Sequence, residues 1–405
     1  MINKNFIKVK DLYFIFNTNK TAWIAVTPDA LEFCNKYIDN KNSINCKTLS
    51  PEERNLFDGL NKLVEENLEF CDEDEYKSCY IHITQNCNLK CPYCYSKDSM
   101  RNKFQDLDLD SWKKAIKKVK AMGFNRLVFS GGEPLLYTQI DELLSYCNEL
   151  QFEEIDLISN GLLVNKRNIV FLKENVKNLC ISLDGYNEET NCLTRGAGNF
   201  EKVVDSIKML RENEVAVNII ATIYKENIND INEYINLASS LDCTVSFSLF
   251  TVSGEAKNNQ QLQQTETQLT GLSEYLLDDD TPQLLFDNVP IIKGIQYREG
   301  CGAGNYLISI NADGNVYPCH FMMQEPLLMG NIFEDSIENI LDAGKLHSSQ
   351  MNVENIHECN SCDFKHLCGG GCRANTYKGK GKVKCSDDCK FYKSYYEKIV
   401  EEFMW

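Results

Sequence analysis

The sequence predicts an α/β protein: a central parallel sheet of βα units, with a small α+β unit before it and a cysteine-rich domain after it. Three observations predict this. From about residue 78 to 250, strand-like and amphipathic helix-like stretches alternate six times, as parallel strands joined by right-handed helical crossovers do. Before them, residues 1–75 hold an apolar hairpin and two helix starts. After them, within 286–405, cysteines recur at short, ordered spacings.

In order along the chain, YFIFNTNKTAWIAV carries two apolar runs around the turn NTNK, hence a β-hairpin. TPDALEFCNKYID opens a helix with Thr27 as N-cap and Pro28 at the first helical position. SPEERNLFDGLNKLVEENLEF opens a second, with Ser50, Pro51 and Glu53 forming a capping box. The central strands are expected at 79–84, 126–130 (RLVFS), 154–158 (EIDLI), 179–183 (LCISL), 216–222 (AVNIIAT) and 244–250 (TVSFSLF). Helices such as DSWKKAIKKVKAM and FEKVVDSIKMLREN separate them. Residues 255 to about 285 are rich in Gln, Glu, Asp and Thr and read as a solvated helical connector.

Composition narrows the function classes. A chain of 405 residues, 43% hydrophobic and 25% charged, has room for two or three domains. Its formal charge of −17 repels phosphate backbones, which argues against nucleic acid as a partner and suits a basic or apolar peptide better. No apolar run approaches the length of a membrane span, and MINKNFIKVKDLYF lacks a secretory h-region, so the expected location is cytoplasmic. In that compartment nineteen cysteines point to metal or redox chemistry rather than disulfides. Cys34, Cys46, Cys71, Cys79, Cys147, Cys180, Cys192 and Cys243 show no ligand spacing and read as small buried apolar side chains.

Cys87, Cys91 and Cys94 sit in CNLKCPYCY, just past the first strand of the sheet, YIHIT. Three thiolates at C-x3-C-x2-C hold three corners of a [4Fe–4S] cube and leave one iron open for chemistry. A zinc knuckle is the competing reading, though zinc usually closes with four ligands and no nearby fourth is evident. The motif resembles the signature of the radical S-adenosylmethionine (radical SAM) enzymes, in which the open iron binds SAM and the cluster cleaves it to a 5′-deoxyadenosyl radical. The resemblance implies a partial (β/α)6 barrel over residues 76–285. It also implies SAM contacts from Tyr93 at the adenine, from Gly131, Gly132 and Glu133 at the amino group, from Asn160 and Ser182 at the ribose or carboxylate, and from Arg195 at the carboxylate. Asp184 is a candidate substrate contact. Turn chemistry explains Asn160-Gly161 and Asp184-Gly185 equally well.

Downstream run Cys301, Gly314 and Cys319, then C-x2-C-x5-C-x3-C at Cys359, Cys362, Cys368 and Cys372, and finally Cys389. This array is similar to the SPASM domain of peptide-modifying radical SAM enzymes. The resemblance implies two auxiliary [4Fe–4S] clusters, hence three in all: Cys301, Cys319 and Cys372 at the first, and Cys359, Cys362, Cys368 and Cys389 at the second. Cys385 is an alternative ligand. No cysteine lies between Cys243 and Cys301, so the first auxiliary cluster has three evident ligands and either keeps an open iron or is closed by Cys385. Sulfatase maturases carry a catalytic Asp after the cysteine matching Cys319, whereas this chain has His320, a candidate proton acceptor or packing residue.

Residues 1–75 resemble the winged-helix leader-recognition domain attached to many such enzymes, which binds a precursor peptide's leader as an added strand. The leading expectation is a maturase that forms Cys thioether crosslinks in a ribosomally synthesised peptide, supplied with electrons by a flavodoxin or ferredoxin. The alternatives are formylglycine formation, a carbon–carbon crosslink or epimerisation. From another class come a non-catalytic iron–sulfur carrier and a zinc module.

Overall fold

A computed structural model describes residues 7–17, 22–65, 77–97, 101–103, 105–278, 284–286, 295–377, 385 and 388–402. The N-terminal unit is an antiparallel sheet of β1 (Ile7–Val9), β2 (Leu12–Phe16) and β3 (Trp23–Val26), followed by α1 (Leu31–Asn40) and α2 (Pro51–Glu65). The expected hairpin is β2 with β3, pairing Phe16 to Trp23, and β1 adds to its other side. Strand alternation sends Ile15 to one face, against Tyr37 and Leu60 of the helices. Phe14 and Phe16 go to the other, into a core shared with barrel strands and the C-terminal helix.

The capping box of α2 forms as expected. The Ser50 N–H donates to Glu53 Oε2 at 2.8 Å, and the Glu53 N–H donates to Ser50 Oγ at 3.2 Å. Thr27 departs from expectation. Its side chain caps nothing, because Pro28–Ala30 form a tighter 3₁₀ turn in which the Thr27 carbonyl accepts from the Ala30 N–H.

The central strands are β4 (Ser78–Thr84), β5 (Arg126–Gly131), β6 (Glu154–Ser159), β7 (Asn178–Ser182), β8 (Val217–Ile223) and β9 (Thr244–Leu249). They pair in sequence order, all parallel. Each of the five crossovers between them carries helix: α3 (Leu109–Ala121), α4 (Ile140–Glu149), α5 (Lys166–Asn175), α6 (Glu188–Arg195) with α7 (Phe200–Glu212), and α8 (Ile231–Ser240). The sheet does not close on itself. β10 (Leu285–Phe286) extends it beside β9, and β11 (Leu307–Ile310) joins the free edge of β4 in parallel. β12 (Asn315–Tyr317) and β13 (Gly330–Asn331) continue it antiparallel, making ten strands in one sheet. Trp112, Phe129, Leu143 and Ile181 fill the main core without exposed surface.

α9 (Glu266–Leu277) corrects the solvated connector. Leu269, Leu272 and Leu276 are buried, and the helix packs on the C-terminal helix. The C-terminal domain adds α10 (Ile337–Gln350), the single turns α11 (Lys365–Cys368) and α12 (Arg373–Thr376), and α13 (Cys389–Glu402). Of the cysteines without ligand spacing, Cys34, Cys79 and Cys147 are buried as expected. Cys180, Cys192 and Cys243 are only half-buried and Cys46 is exposed; Cys71 lies outside the described residues. No helix among the described residues is long and apolar enough to cross a membrane.

Candidate active site and cluster sites

At the carboxyl ends of β4–β9 a cavity opens with about 1160 Å³ of free space, its mouth included. That end is where parallel barrels place their chemistry. β4 contributes through its cysteine loop: Cys87, Cys91, Tyr93 and Cys94 all line the wall. Ser130, Gly131 and Gly132 follow from β5, Ser159 and Asn160 from β6, Ser182 from β7, Thr222 from β8 and Phe250 from the end of β9. Arg195 and His320 reach the same wall. Ten predicted site residues, from Cys87 to His320, thus converge on one cavity.

Backbone fit explains the glycine turn. A Cβ on Gly132 would stand 1.9 Å from the Asn86 carbonyl oxygen, so the turn is pressed against the cysteine loop itself. There the Gly132 N–H donates to the Thr84 carbonyl and the Glu133 N–H to the Asn86 carbonyl, both at 2.7 Å. The loop is held from the other side by the segment after β9. The Glu255 N–H donates to the Cys94 carbonyl at 2.9 Å, and the Asn259 side chain donates to the Pro92 carbonyl at 2.8 Å.

Two predicted residues lie behind the wall rather than on it. Glu133 is buried. It accepts from the Ser159 hydroxyl and the Asn160 N–H, each at 2.8 Å, and from the Leu135 N–H at 3.0 Å, which pins the end of β6 to the glycine turn. Asp184 is fully buried; one oxygen accepts from the Thr222 N–H at 2.8 Å and the other pairs with the Arg195 guanidinium. Neither carboxylate meets the cavity, and the wall among the described residues carries no Asp or Glu.

Tyr93 is buried on the wall with its ring against Tyr224 and Phe250, at centroid distances of 5.9 and 6.2 Å. The His320 ring stacks on Tyr80 at 4.0 Å with 17° between planes, and burial pushes its imidazole down to about 3. A neutral, stacked ring of that kind suits packing better than proton acceptance. Several residues at the site were not foreseen. His82 on β4 is buried, with both ring nitrogens lacking a hydrogen-bond partner among the described residues. Tyr95 bonds Ser130 at 2.9 Å, and Arg101 reaches back to Cys94. Tyr95 follows the last cysteine directly, which is the one signal that could have found it.

The downstream cysteines divide into two groups. Burial, then the charges of Cys372 and Cys301, push the Cys319 thiol up; burial, then Cys301, push Cys372 up to about 12. These three therefore face one another. A second cavity is lined by Cys359, Cys362, Cys368, Cys385 and Cys389, with Tyr392 and Lys393. Cys385 hydrogen-bonds with Cys359 and with Cys389, so it stands in the second group. It does not reach the first. The glycine of the array, Gly314, turns β11 into β12 with φ +86°, and Phe333 occupies the space a Cβ would need.

The loop Cys368–Cys372 joins the two groups. Arg373 is buried and holds it, donating to the carbonyls of Gly369 at 2.5 Å, Gly371 at 2.8 Å and Met351 at 2.7 Å. Burial is the first cause that raises the thiols of Cys319, Cys372, Cys362 and Cys368, and such thiols favour a nearby cation, so these donor sets fit iron, whose binding would release their protons. Backbone N–H groups already aim at the sulfurs: Leu89 at Cys87, Phe321 at Cys319 and Gly370 at Cys368, at 3.4, 3.4 and 3.2 Å. Among the described residues no three His, Cys, Asp or Glu side chains gather as they would around a single ion. In a four-iron cube each sulfur takes a different iron, so its ligands stand farther apart than zinc ligands do.

Known proteins agree with this geometry. Residues 81–238 match the Radical SAM superfamily, and residues 301–363 match the iron-sulfur cluster-binding domain SPASM. The AdoMet-dependent heme synthase of Methanosarcina barkeri is 26% identical over 324 residues, 74% of this chain and 91% of its own. The antilisterial bacteriocin subtilosin biosynthesis protein AlbA of Bacillus subtilis is 27% identical over 317 residues, 74% of this chain and 69% of its own. Among solved structures, Streptococcus suis SuiB bound to its precursor peptide SuiA is similar in fold, with TM-score 0.62 and 18% identity over 95% of this chain and 100% of that one. With a three-cysteine loop beneath an open parallel barrel and two further cysteine groups behind it, the chain carries a radical SAM domain followed by a C-terminal SPASM domain.

Proposed function

We propose that this protein modifies a ribosomally synthesised peptide by joining a cysteine sulfur to a carbon of the same peptide. One observation carries the reading. The first auxiliary site has three thiols, and the cysteine that would have completed it, Cys385, lines the second site instead. A corner left free in a cube of soft sulfur and iron is a seat for a substrate thiolate. The carboxylate-free cavity wall supports the same choice, since formylglycine formation in the sulfatase maturases uses an Asp base, and here a neutral, stacked His320 stands beside Cys319.

In this reading three [4Fe–4S] clusters and SAM are the cofactors. When bound, SAM and the cluster at Cys87, Cys91 and Cys94 supply a deoxyadenosyl radical that removes one hydrogen atom from the peptide. The chain's own residues do the rest by position. Arg195 presents its guanidinium to the cavity where a carboxylate would lie, with Asp184 fixing its orientation behind. Asn160 holds Asn88 of the cysteine loop at 2.7 Å, and Tyr93 supplies a flat wall for an adenine. The product is two hydrogens lighter than the substrate: one leaves as the abstracted atom, and the thiol's proton and electron leave to solvent and to the auxiliary iron. The N-terminal sheet takes the leader as an added strand, with β1 and β3 as its two edges. The likeness to SuiB over 95% of this chain supports a comparable layout. A flavodoxin or ferredoxin supplies the electrons.

Incubating the reconstituted protein with SAM, a reductant and a short cysteine-containing precursor peptide is expected to give a product lighter by two hydrogens, and alkylating the peptide cysteines beforehand is expected to block that loss. A mass loss that survives alkylation overturns the thioether.

A further inference from the structure

Several candidate ligand sulfurs accept hydrogen bonds. Those of Cys87, Cys319 and Cys368 accept from backbone N–H groups. Cys94 differs: the Arg101 Nη2–H donates to its sulfur at 3.3 Å. The same nitrogen donates to Ser96 Oγ at 2.7 Å, and the Ser96 hydroxyl donates to the Gly131 carbonyl at 2.7 Å. Arg101 is therefore tied at once to the last cysteine of the loop and to the glycine turn of β5. Its side chain lines the cavity, and its buried Nε has no hydrogen-bond partner among the described residues.

The charge balance of the cavity gives this contact its weight. Three thiolates around an iron–sulfur cube carry negative charge into a largely buried site, and the wall supplies no carboxylate of its own. The other arginine there, Arg195, is offset by the buried carboxylate of Asp184. His82 behind the loop is held neutral, its imidazole pushed well below the usual range by burial. Arg101 is left as the cation that acts on the cysteine loop without a matching buried anion on that wall. A positive charge and a hydrogen bond at a ligand sulfur both favour the reduced, more negative cluster.

We infer that Arg101 is a positioning residue of the SAM-cleaving site, which anchors the Cys94 thiolate and makes the cluster there easier to reduce. The inference rests on assigning Cys87, Cys91 and Cys94 to a [4Fe–4S] cluster. It says nothing about the peptide and holds whichever bond the enzyme forms.

The test is an anaerobic redox titration of the reconstituted full-length protein, following the electron paramagnetic resonance signal that changes on adding SAM. Arg101→Met is expected to keep its iron but to lower the ratio of reduced to oxidised cluster at the wild-type midpoint potential about tenfold, equivalent to a midpoint lower by ~59 mV for one electron. Arg101→Lys, which keeps the charge, is expected to recover most of that shift. A fully loaded Arg101→Met protein with the wild-type midpoint overturns the inference, as does a shift that Arg101→Lys leaves untouched. Should Arg101→Met lose iron, an Arg101→Lys protein with its iron restored supports the anchoring role, and one equally depleted overturns it. A wild-type protein with no SAM-responsive signal would instead defeat the cluster assignment.

Discussion

The two cysteine sites of the C-terminal domain share one loop and differ in nearly everything else. The first gathers Cys301, Cys319 and Cys372, with Cys301 exposed at the surface. The second gathers five thiols around a small cavity closed by Tyr392 and Phe364, with Lys393 one helical turn beyond Cys389. One site is short of a ligand and open; the other has one to spare and is enclosed. An electron-transfer centre gains from full ligation and burial, whereas a substrate-binding centre needs a vacancy and a way in. The division of labour proposed above follows from that contrast, and its predictions are the ways to break it.

The largest effect is expected at the shared loop. Arg373→Met leaves three carbonyls without their buried donor, at about 1–3 kcal/mol for each unmet group, so a loss of about 3 kcal/mol or more is expected. Denaturant unfolding measures it. Because the loop ends in Cys368 on one side and Cys372 on the other, iron analysis should show depletion of both auxiliary sites together. Loss confined to one site would mean that the two are not coupled through it.

Next comes Cys319→Ala, which removes one of only three ligands. Peptide crosslinking is expected to fall by about 100-fold, some 2.7 kcal/mol at the barrier, while SAM cleavage without crosslinking persists. Equal loss of both activities, measured by product mass and by 5′-deoxyadenosine, would erase the distinction between the sites.

The surplus at the second site predicts tolerance. Cys385→Ala and Cys389→Ala are each expected to retain the cluster, with crosslinking within about threefold of wild type, under 1 kcal/mol. The double variant is expected to lose four irons' worth of signal in iron analysis. A single variant that already loses them would identify the sole fourth ligand and remove the spare.

The smallest predicted change lies in the barrel. Glu133→Gln keeps the shape but sets an amide N–H against one of the N–H donors that the carboxylate accepts, costing about 1 kcal/mol. Thermal unfolding should register it as a shift of a few degrees with the iron content unchanged.

How much of this was legible beforehand depends on the length of each signal. The six barrel strands lie within a residue or two of their expected positions because each has three or more apolar or β-branched residues close together and helical stretches flanking it. β10 and β13 have two residues each, too few for any periodicity, and their pairing is decided by where the barrel leaves an edge. α9 was misjudged because its polar flanks hid Leu269, Leu272 and Leu276, which share one face. Motif spacing brought Tyr93, Asn160, Ser182 and Arg195 to the cavity: Tyr93 lies in the loop after β4, Asn160 directly after β6, Ser182 at the end of β7 and Arg195 at the end of α6. The same spacing could not say that Glu133 and Asp184 would turn away from it. That choice is made by the N–H groups of Asn160 and Thr222, which belong to neighbouring strands. Arg101 sits in a polar loop without a pattern, and only the fold brings it to a sulfur.

The junction of β11 with β4 has a consequence for the chain as it is made. β4 carries the cysteine loop at one end, yet its outer edge is completed by a strand that leaves the ribosome roughly 220 residues later. At ordinary synthesis rates the edge therefore waits roughly ten to forty seconds with its backbone groups unpaired, a period of exposure to mispairing and aggregation. Iron delivered to the loop during that wait would enter a site whose platform is unfinished. Productive cofactor loading is therefore expected to follow completion of this edge, and shielding the nascent barrel or slowing iron delivery in the cell should raise the yield of complete protein.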